Sequence, residues 1–202
     1  DDGAVAILLH RMGISTMGYK EDLPRARELL EESLRVHREL GSLRGESEAI
    51  GGLGYLAMTE ENFVEGAELF SQSAELAHEV GFVWWEVGML AGLSEALIEL
   101  GRLDEVEEAV CRHLRLARGI DDRQSSVVAL VLTAWIARLR GDDERAGLFW
   151  GAVEAEEARG AIGQWEHERD DYAAKVGVEG EAFERGRQRG RRLRRIRAQP
   201  GA

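Results

Sequence analysis

The residue types that do chemistry are present in this 202-residue chain, but not at the spacings that would make them work together. Gly13-Ile-Ser-Thr-Met-Gly18-Tyr19-Lys20 spaces two glycines like a phosphate-binding loop. Such a loop follows a strand, sets a lysine directly after the second glycine, and adds a Ser or Thr hydroxyl for magnesium. Here the lysine is displaced by one residue, no hydroxyl follows it, and no strand precedes it. His167-Glu168-Arg169-Asp170-Asp171 opens like a zinc-binding helix but lacks the second histidine one turn on, so it reads as a solvated charged helix. The other histidines, His10, His37, His78 and His113, show no ligand spacing to one another. No nucleophile sits in an elbow or triad context, and the abundant carboxylates fall on amphipathic helices as a solvent face. Neither catalysis nor a bound cofactor or metal is expected.

The single cysteine, Cys111, cannot form an internal disulfide. Between Val110 and Leu114 on a predicted helix, it reads as a small buried apolar side chain rather than a reactive thiol. A hydrophobic fraction of 44% with 32% charged residues is that of a soluble globular protein with enough apolar surface for a core. There is no signal-peptide pattern, and no apolar run approaches the ~20 residues that span a bilayer. The expectation is a cytoplasmic protein without a membrane partner, and the start at Asp1 reads as an excised piece of a longer chain. Charge is uneven: eight arginines lie between Arg185 and Arg197, and no acid follows Glu184. That leaves 18 basic residues against all 38 acidic ones, so the body carries −20 and the tail +8. Such an acidic body disfavours direct nucleic-acid binding. The tail is left two readings, a phosphate- or acid-binding segment or a helix end folded back on the body.

These residues are positioned by helices. From 43 to 81 the chain reads as one helical hairpin. A first helix from Arg44 to Thr59 carries Ile50, Leu53, Leu56 and Ala57 on one face. A turn at Glu60-Glu61-Asn62 leads to a second helix with Phe63, Ala67, Leu69, Phe70, Ala74 and Ala77, stopped by Gly81. Asp22-Leu23, Asn62-Phe63, Arg102-Leu103 and Asp142-Asp143 recur at a step of 40 and each open a second helix. Small residues (Ala26, Gly66, Val106, Ala146) and bulky ones (Leu30, Phe70, Val110, Trp150) follow in register. Ile14, Gly54, Ser94 and Ala134 precede them, and Gly41 matches Gly81 as Gly101 matches Gly141. Four helix pairs in register predict a stack in which each pair covers the next. Gly51, Gly52 and Gly54 in one helix each cost ~0.5–1 kcal/mol relative to alanine. That cost makes sense where neighbouring helices pack directly on the backbone. Helices are further expected at about 164–176 and 179–195, with Trp165, Tyr172 and Phe183 as anchors that cap the stack.

Leu53-Gly54 at the first-helix position, and Ala26 and Ala146 at the second-helix position of their own pairs, fit the tetratricopeptide pattern in which a Leu-Gly pair faces an Ala, so the chain resembles that repeat, with a longer unit, over about residues 4–160. The resemblance implies a single all-α domain over 1–202, a right-handed α-solenoid of stacked antiparallel helix pairs, with 161–197 as capping helices and an Arg-rich tail. A narrower resemblance starts at Arg145 and runs through RAGLFWGAVEAEEARGAIG, Glu168-Arg169, Tyr172 and EAFERGRQRGRRL to Gly190-Arg191. This is similar to the C-terminal end of bacterial multidomain signal-transducing ATPases and transcriptional regulators (LuxR-, MalT- or AfsR-like). There a helical-repeat tail follows a nucleotide-binding switch domain; the final RLRRIRAQPGA departs from that pattern.

The expected working surface is the concave groove lined by the first helices of the hairpins. Its register gives Leu8, Arg11 and Ser15; Glu48, Gly51, Tyr55 and Met58; Gly88, Ala91, Glu95 and Ile98; and Val128, Val131, Trp135 and Arg138. Of these, Arg11, Glu48, Tyr55, Met58, Glu95, Trp135 and Arg138 are the candidate contact residues, with aromatics and both charge signs suited to recognition. Tyr55 and Trp135 have a second reading as packing against the next repeat. The function expected is non-catalytic: a groove that binds a protein or peptide, or other domains of the full-length chain. The alternatives are a free-standing adaptor or scaffold and a small-molecule effector receptor.

Overall fold

A computed structural model describes residues 2–18 and 22–193. Tyr19 and Lys20 of the loop-like segment, and the end of the arginine tail from Arg194, lie outside the described residues. Among the described residues ten helices follow one another: α1 Asp2–Gly18, α2 Leu23–Glu39, α3 Leu43–Thr59, α4 Phe63–Glu79, α5 Val83–Glu99, α6 Leu103–Gly119, α7 Arg123–Leu139, α8 Asp143–Glu157, α9 Trp165–Val176 and α10 Glu181–Leu193. No strand occurs among the described residues, and helices pack on their neighbours in chain order, as in an all-α solenoid.

One turn makes this regularity. Each helix from α2 to α7 is 17 residues long, and each starts 20 residues after the last. Two residues past the helix end, a left-handed residue reverses the chain: Gly41, Glu61, Gly81, Gly101, Asp121 and Gly141, all at positive φ. The next residue's N–H then donates back to the carbonyl five positions earlier. Ser42 reaches His37 at 2.9 Å, Asn62 reaches Ala57 at 2.8 Å, Arg102 reaches Leu97 at 2.9 Å, and Asp142 reaches Ala137 at 2.9 Å. This is the Schellman closure. The residue that closes one helix often caps the next: Ser42, Asn62, Asp122 and Asp142 each accept the N–H three positions on. Each of these three-residue turns therefore both ends one helix and starts the next.

The chain forms two compact units, Asp1–Glu105 and Val106–Ala202. In the first, α3 is central and packs against α1, α2, α4 and α5. Its three glycines receive three different neighbours. A Cβ at Gly51 would meet Met89, Trp85 and Ser73, one at Gly52 would meet Leu30, His10 and Ile14, and one at Gly54 would meet Phe70. Phe70 is fully buried and also fills the space beside Gly92 of α5, so one ring rests on two bare helix backbones. The buried hydroxyls are satisfied: Ser47 Oγ donates to the Ser73 carbonyl at 3.0 Å, Ser73 Oγ to the Ser47 carbonyl at 2.7 Å, and Trp85 Nε1 to Ser73 Oγ at 3.0 Å.

In the second unit, α7 pairs with α8, α9 packs on α7, and α10 packs on α8. The α8–α10 contact is backbone against backbone. A Cβ at Gly147 would fall on the Phe183 carbonyl, at Gly151 on that of Arg187, at Gly186 on that of Glu144, and at Gly190 on that of Leu148. Two glycine pairs spaced by four thus interlock two parallel helices. Arginines then secure α10: Arg187 Nε is 2.9 Å from Glu154, Arg191 Nε is 2.6 Å from it, and Arg189 pairs with Glu144. The described part of the arginine tail therefore folds back on the acidic body. Trp165, Tyr172 and Phe183 are buried, as anchors must be.

Cys111 is exposed, which corrects its expected burial. The buried stripe of α6 is Val106, Ala109, Val110, His113 and Ala117, at helical spacings of three and four. Cys111 stands one residue, about 100°, beyond that stripe.

Glu61 (φ 58°) and Asp121 (φ 55°) occupy turn positions that glycine holds elsewhere. Glu61→Gly and Asp121→Gly remove left-handed strain of ~1 kcal/mol each. Each is expected to raise Tm by about 2–4 °C in thermal melts, and unchanged or lowered melting would contradict this account of the turn.

Candidate functional site

The first helices of the pairs carry one stripe each, at matching positions. In the first unit α1, α3 and α5 lie side by side, so three stripes share a face. On α1, Leu8, Arg11 and Ser15 are exposed. On α3, Glu48 is half-buried with its carboxylate 3.6 Å from Arg44 Nε, and Met58 packs half-buried over Gly66. Tyr55 is 37% exposed and sets its ring edge-on to Phe70, centroids 5.0 Å apart. Burial, reinforced by the Glu95 carboxylate, pushes its phenol up to about 12, so the hydroxyl stays a neutral donor. On α5, Glu95 and Ala91 are half-buried, Ile98 is buried, and the space over Gly88 is open.

Sequence reasoning missed the most exposed aromatic on this face. Trp84 stands one turn before Gly88 on the same stripe and is 62% exposed. It joins Phe82 and Trp85 in a cluster with centroids 6.1–6.4 Å apart, and Arg44 lies 3.8 Å over the Phe82 ring. Extending the register one turn towards each helix start, to Arg44 and Trp84, was the signal that would have found it.

In the second unit the equivalent stripe of α7 is covered by α9. Gln124 Oε1 accepts the Gln164 N–H at 3.2 Å, and Val131 is fully buried. Trp135 is 7% exposed, with Lys175 Nζ 4.9 Å over its ring. Arg138 pairs with Asp143 and lies beneath Gly177, the cap of α9. Trp135 is thus a packing residue and not a groove-exposed contact; the reason is that α9 lies on α7 and shields it from solvent. α9 is itself held to α8, where Trp165 Nε1 donates to Glu157 at 2.8 Å and Arg169 Nε to the same carboxylate at 2.7 Å.

Among the described residues no group of three His, Cys, Asp or Glu side chains could hold a metal, and no helix is long and apolar enough to cross a membrane. His113 is fully buried, and burial lowers its pKa to about 4 against the opposing pull of Asp122. No family model and no curated protein matches this chain. The solved structure of BtubC (BKLC) from P. vanneervenii is similar over 100% of this chain and 85% of that one, with a TM-score of 0.77 and 17% identity. At that identity the likeness is one of fold.

Two outcomes follow from this burial. Trp135→Ala should cost ~3–5 kcal/mol of folding free energy, read by denaturant melts, whereas a near-neutral change would return Trp135 to the surface. His113 binds its proton at about 4 when folded and near 6.5 when unfolded. The unfolded chain therefore takes up more protons between those values, and stability falls as pH drops from 6.5 towards 4. The loss approaches about 3 kcal/mol. His113→Leu should remove that part of the pH dependence, and identical profiles for the two proteins would exclude it.

Proposed function

We propose that this chain is a non-catalytic, tetratricopeptide-like interaction module, and that the α1–α3–α5 face of its first unit takes a protein or peptide segment. The observation that carries the reading is the contrast between two equivalent stripes. In the second unit the stripe holds a helix of the chain itself, with a lysine over Trp135. In the first, the same register presents Tyr55, Trp84 and the open space at Gly88. Glu48 and Glu95 flank this apolar strip as Arg11 and Arg44 do, a mixed rim that selects orientation more than affinity. The segment that fits is an amphipathic one, its apolar side on Trp84 and Gly88 and a basic group towards Tyr55 and Glu95. The resemblance at the C-terminal end supports placing such a module in a larger bacterial signalling or transcriptional regulator, where occupancy of the face would bias an attached switch domain.

A displayed library of helical peptides, selected on the protein and then measured against variants, tests the binding face. Tyr55→Ala and Trp84→Ala should each weaken selected binders by ~2 kcal/mol, about 30-fold, with little change in melting. Binders indifferent to both substitutions would remove this face from the function.

A further inference from the structure

A second site lies in the second unit, between α6, α7 and the start of α8. There a crevice of about 340 Å3 opens, lined by Val110, Thr133 and Ile136, by Arg140 and Arg145 together with the carboxylates Glu107 and Asp142, and by Cys111. The volume is at the lower end of what small-molecule sites use, ~300–1,000 Å3.

The crevice has a cause in the sequence. Eighty residues earlier, the positions of Val110, Thr133 and Ile136 are Leu30, Leu53 and Leu56, which pack together as a buried cluster. Forty residues earlier, the first two are Phe70 and Leu93. Only in the second unit are both positions reduced to Val and Thr, which takes two methyl-sized groups out of the wall of the crevice. Thr133 brings no unmet polarity, since its hydroxyl donates to the Ala129 carbonyl at 2.8 Å.

The rim is changed in the same way. In the first unit Arg27 donates to two carboxylates, Glu60 at 2.5 Å and Glu65 at 2.9 Å. The equivalent residues of the second unit are charge-reversed, with Glu107 for Arg27, Arg140 for Glu60 and Arg145 for Glu65. Glu107 takes Arg140 at 2.5 Å. The second arm is not made. Asp142 spends a carboxylate oxygen on the Arg145 backbone N–H at 3.0 Å, and the Arg145 guanidinium has no carboxylate partner among the described residues. Its ring contact, with Phe149, is a loose one at 5.9 Å.

An apolar crevice beside an arginine without its acid asks for a molecule with both parts. We propose that this crevice binds a small amphiphilic carboxylate, its apolar chain against Val110, Thr133 and Ile136 and its carboxylate on Arg145, completing the pair that Glu65 makes with Arg27 in the first unit. The site is separate from the α1–α3–α5 face, and neither depends on the other.

Cys111 gives a direct readout, because it is the chain's one cysteine and sits at the crevice edge. Its alkylation by uncharged iodoacetamide is followed by mass spectrometry with hexanoate, and with hexanamide as the uncharged control. Hexanoate should slow alkylation several-fold and hexanamide should not. Arg145→Gln should abolish the protection, read as the ratio of that variant's own alkylation rates with and without hexanoate. Val110→Leu with Thr133→Leu, which restores the leucines of the first unit, should weaken the protection by narrowing the crevice, with melting unchanged or raised. Equal protection by acid and amide, no protection by hexanoate, or full protection retained in Arg145→Gln would each overturn the proposal.

Discussion

Everything in this chain hangs on how its helices end. A left-handed residue and one hydrogen bond from the residue after it, back to the carbonyl five positions earlier, close each helix from α2 to α7. Seventeen helical residues span about 25 Å, and the three-residue turn returns the chain alongside with no slack. The same length and turn then recur, so residues 20 apart take the same height on antiparallel helices and residues 40 apart the same place on parallel ones. A single longer turn would shift every later stripe out of register. The regularity of the stack is thus local hydrogen bonding, repeated, before it is hydrophobic packing.

Given that register, close approach becomes possible, and glycine supplies it. Glycine in a helix interior costs ~0.5–1 kcal/mol relative to alanine. At α3 the cost is offset by burial: Phe70, Met89 and Leu30 reach the helix backbone at positions where any Cβ would clash. At α8 and α10 the offset is different. Four glycines let two parallel helices touch carbonyl to carbon, which brings Arg187 and Arg191 within 2.5–2.9 Å of Glu154, a carboxylate with a side chain only 9% exposed. Those two guanidinium groups hold the Glu154 carboxyl below its usual value despite its partial burial. Arg187, Arg189 and Arg191 of α10 are therefore engaged by acids of α8.

Much of this was legible in the residues because it is periodic. The 40-residue step, the small positions, the bulky residues after them and the anchors Trp165, Tyr172 and Phe183 all follow from helical spacing. What escaped was what periodicity cannot carry. The left-handed conformation of Glu61 and Asp121 was not legible, since glycine is the visible marker of it and a charged residue in the same place is not. Cys111 stands about 100° round the helix from its buried neighbour Val110, outside the stripe of Val106, Ala109, Val110, His113 and Ala117, and its apolar character was followed in place of that spacing. Trp135 and Tyr55 hold the same place in their helices, and only the packing of α9 on α7 decides that one is core and the other surface.

That last contrast is where function enters a repeated scaffold. When the backbone places equivalent residues identically, a site must come from a departure in what stands there or in what covers it. The first unit departs by leaving its stripe uncovered, with Trp84 added at the head of α5. The second departs by trading leucines for Val110 and Thr133 and by reversing a charge triad whose second arm stays open at Arg145. Both changes leave the turns, the helix lengths and the glycine contacts untouched, so neither is a requirement of folding. A chain can vary such positions independently of its stack, and these are the positions at which binding is free to be selected.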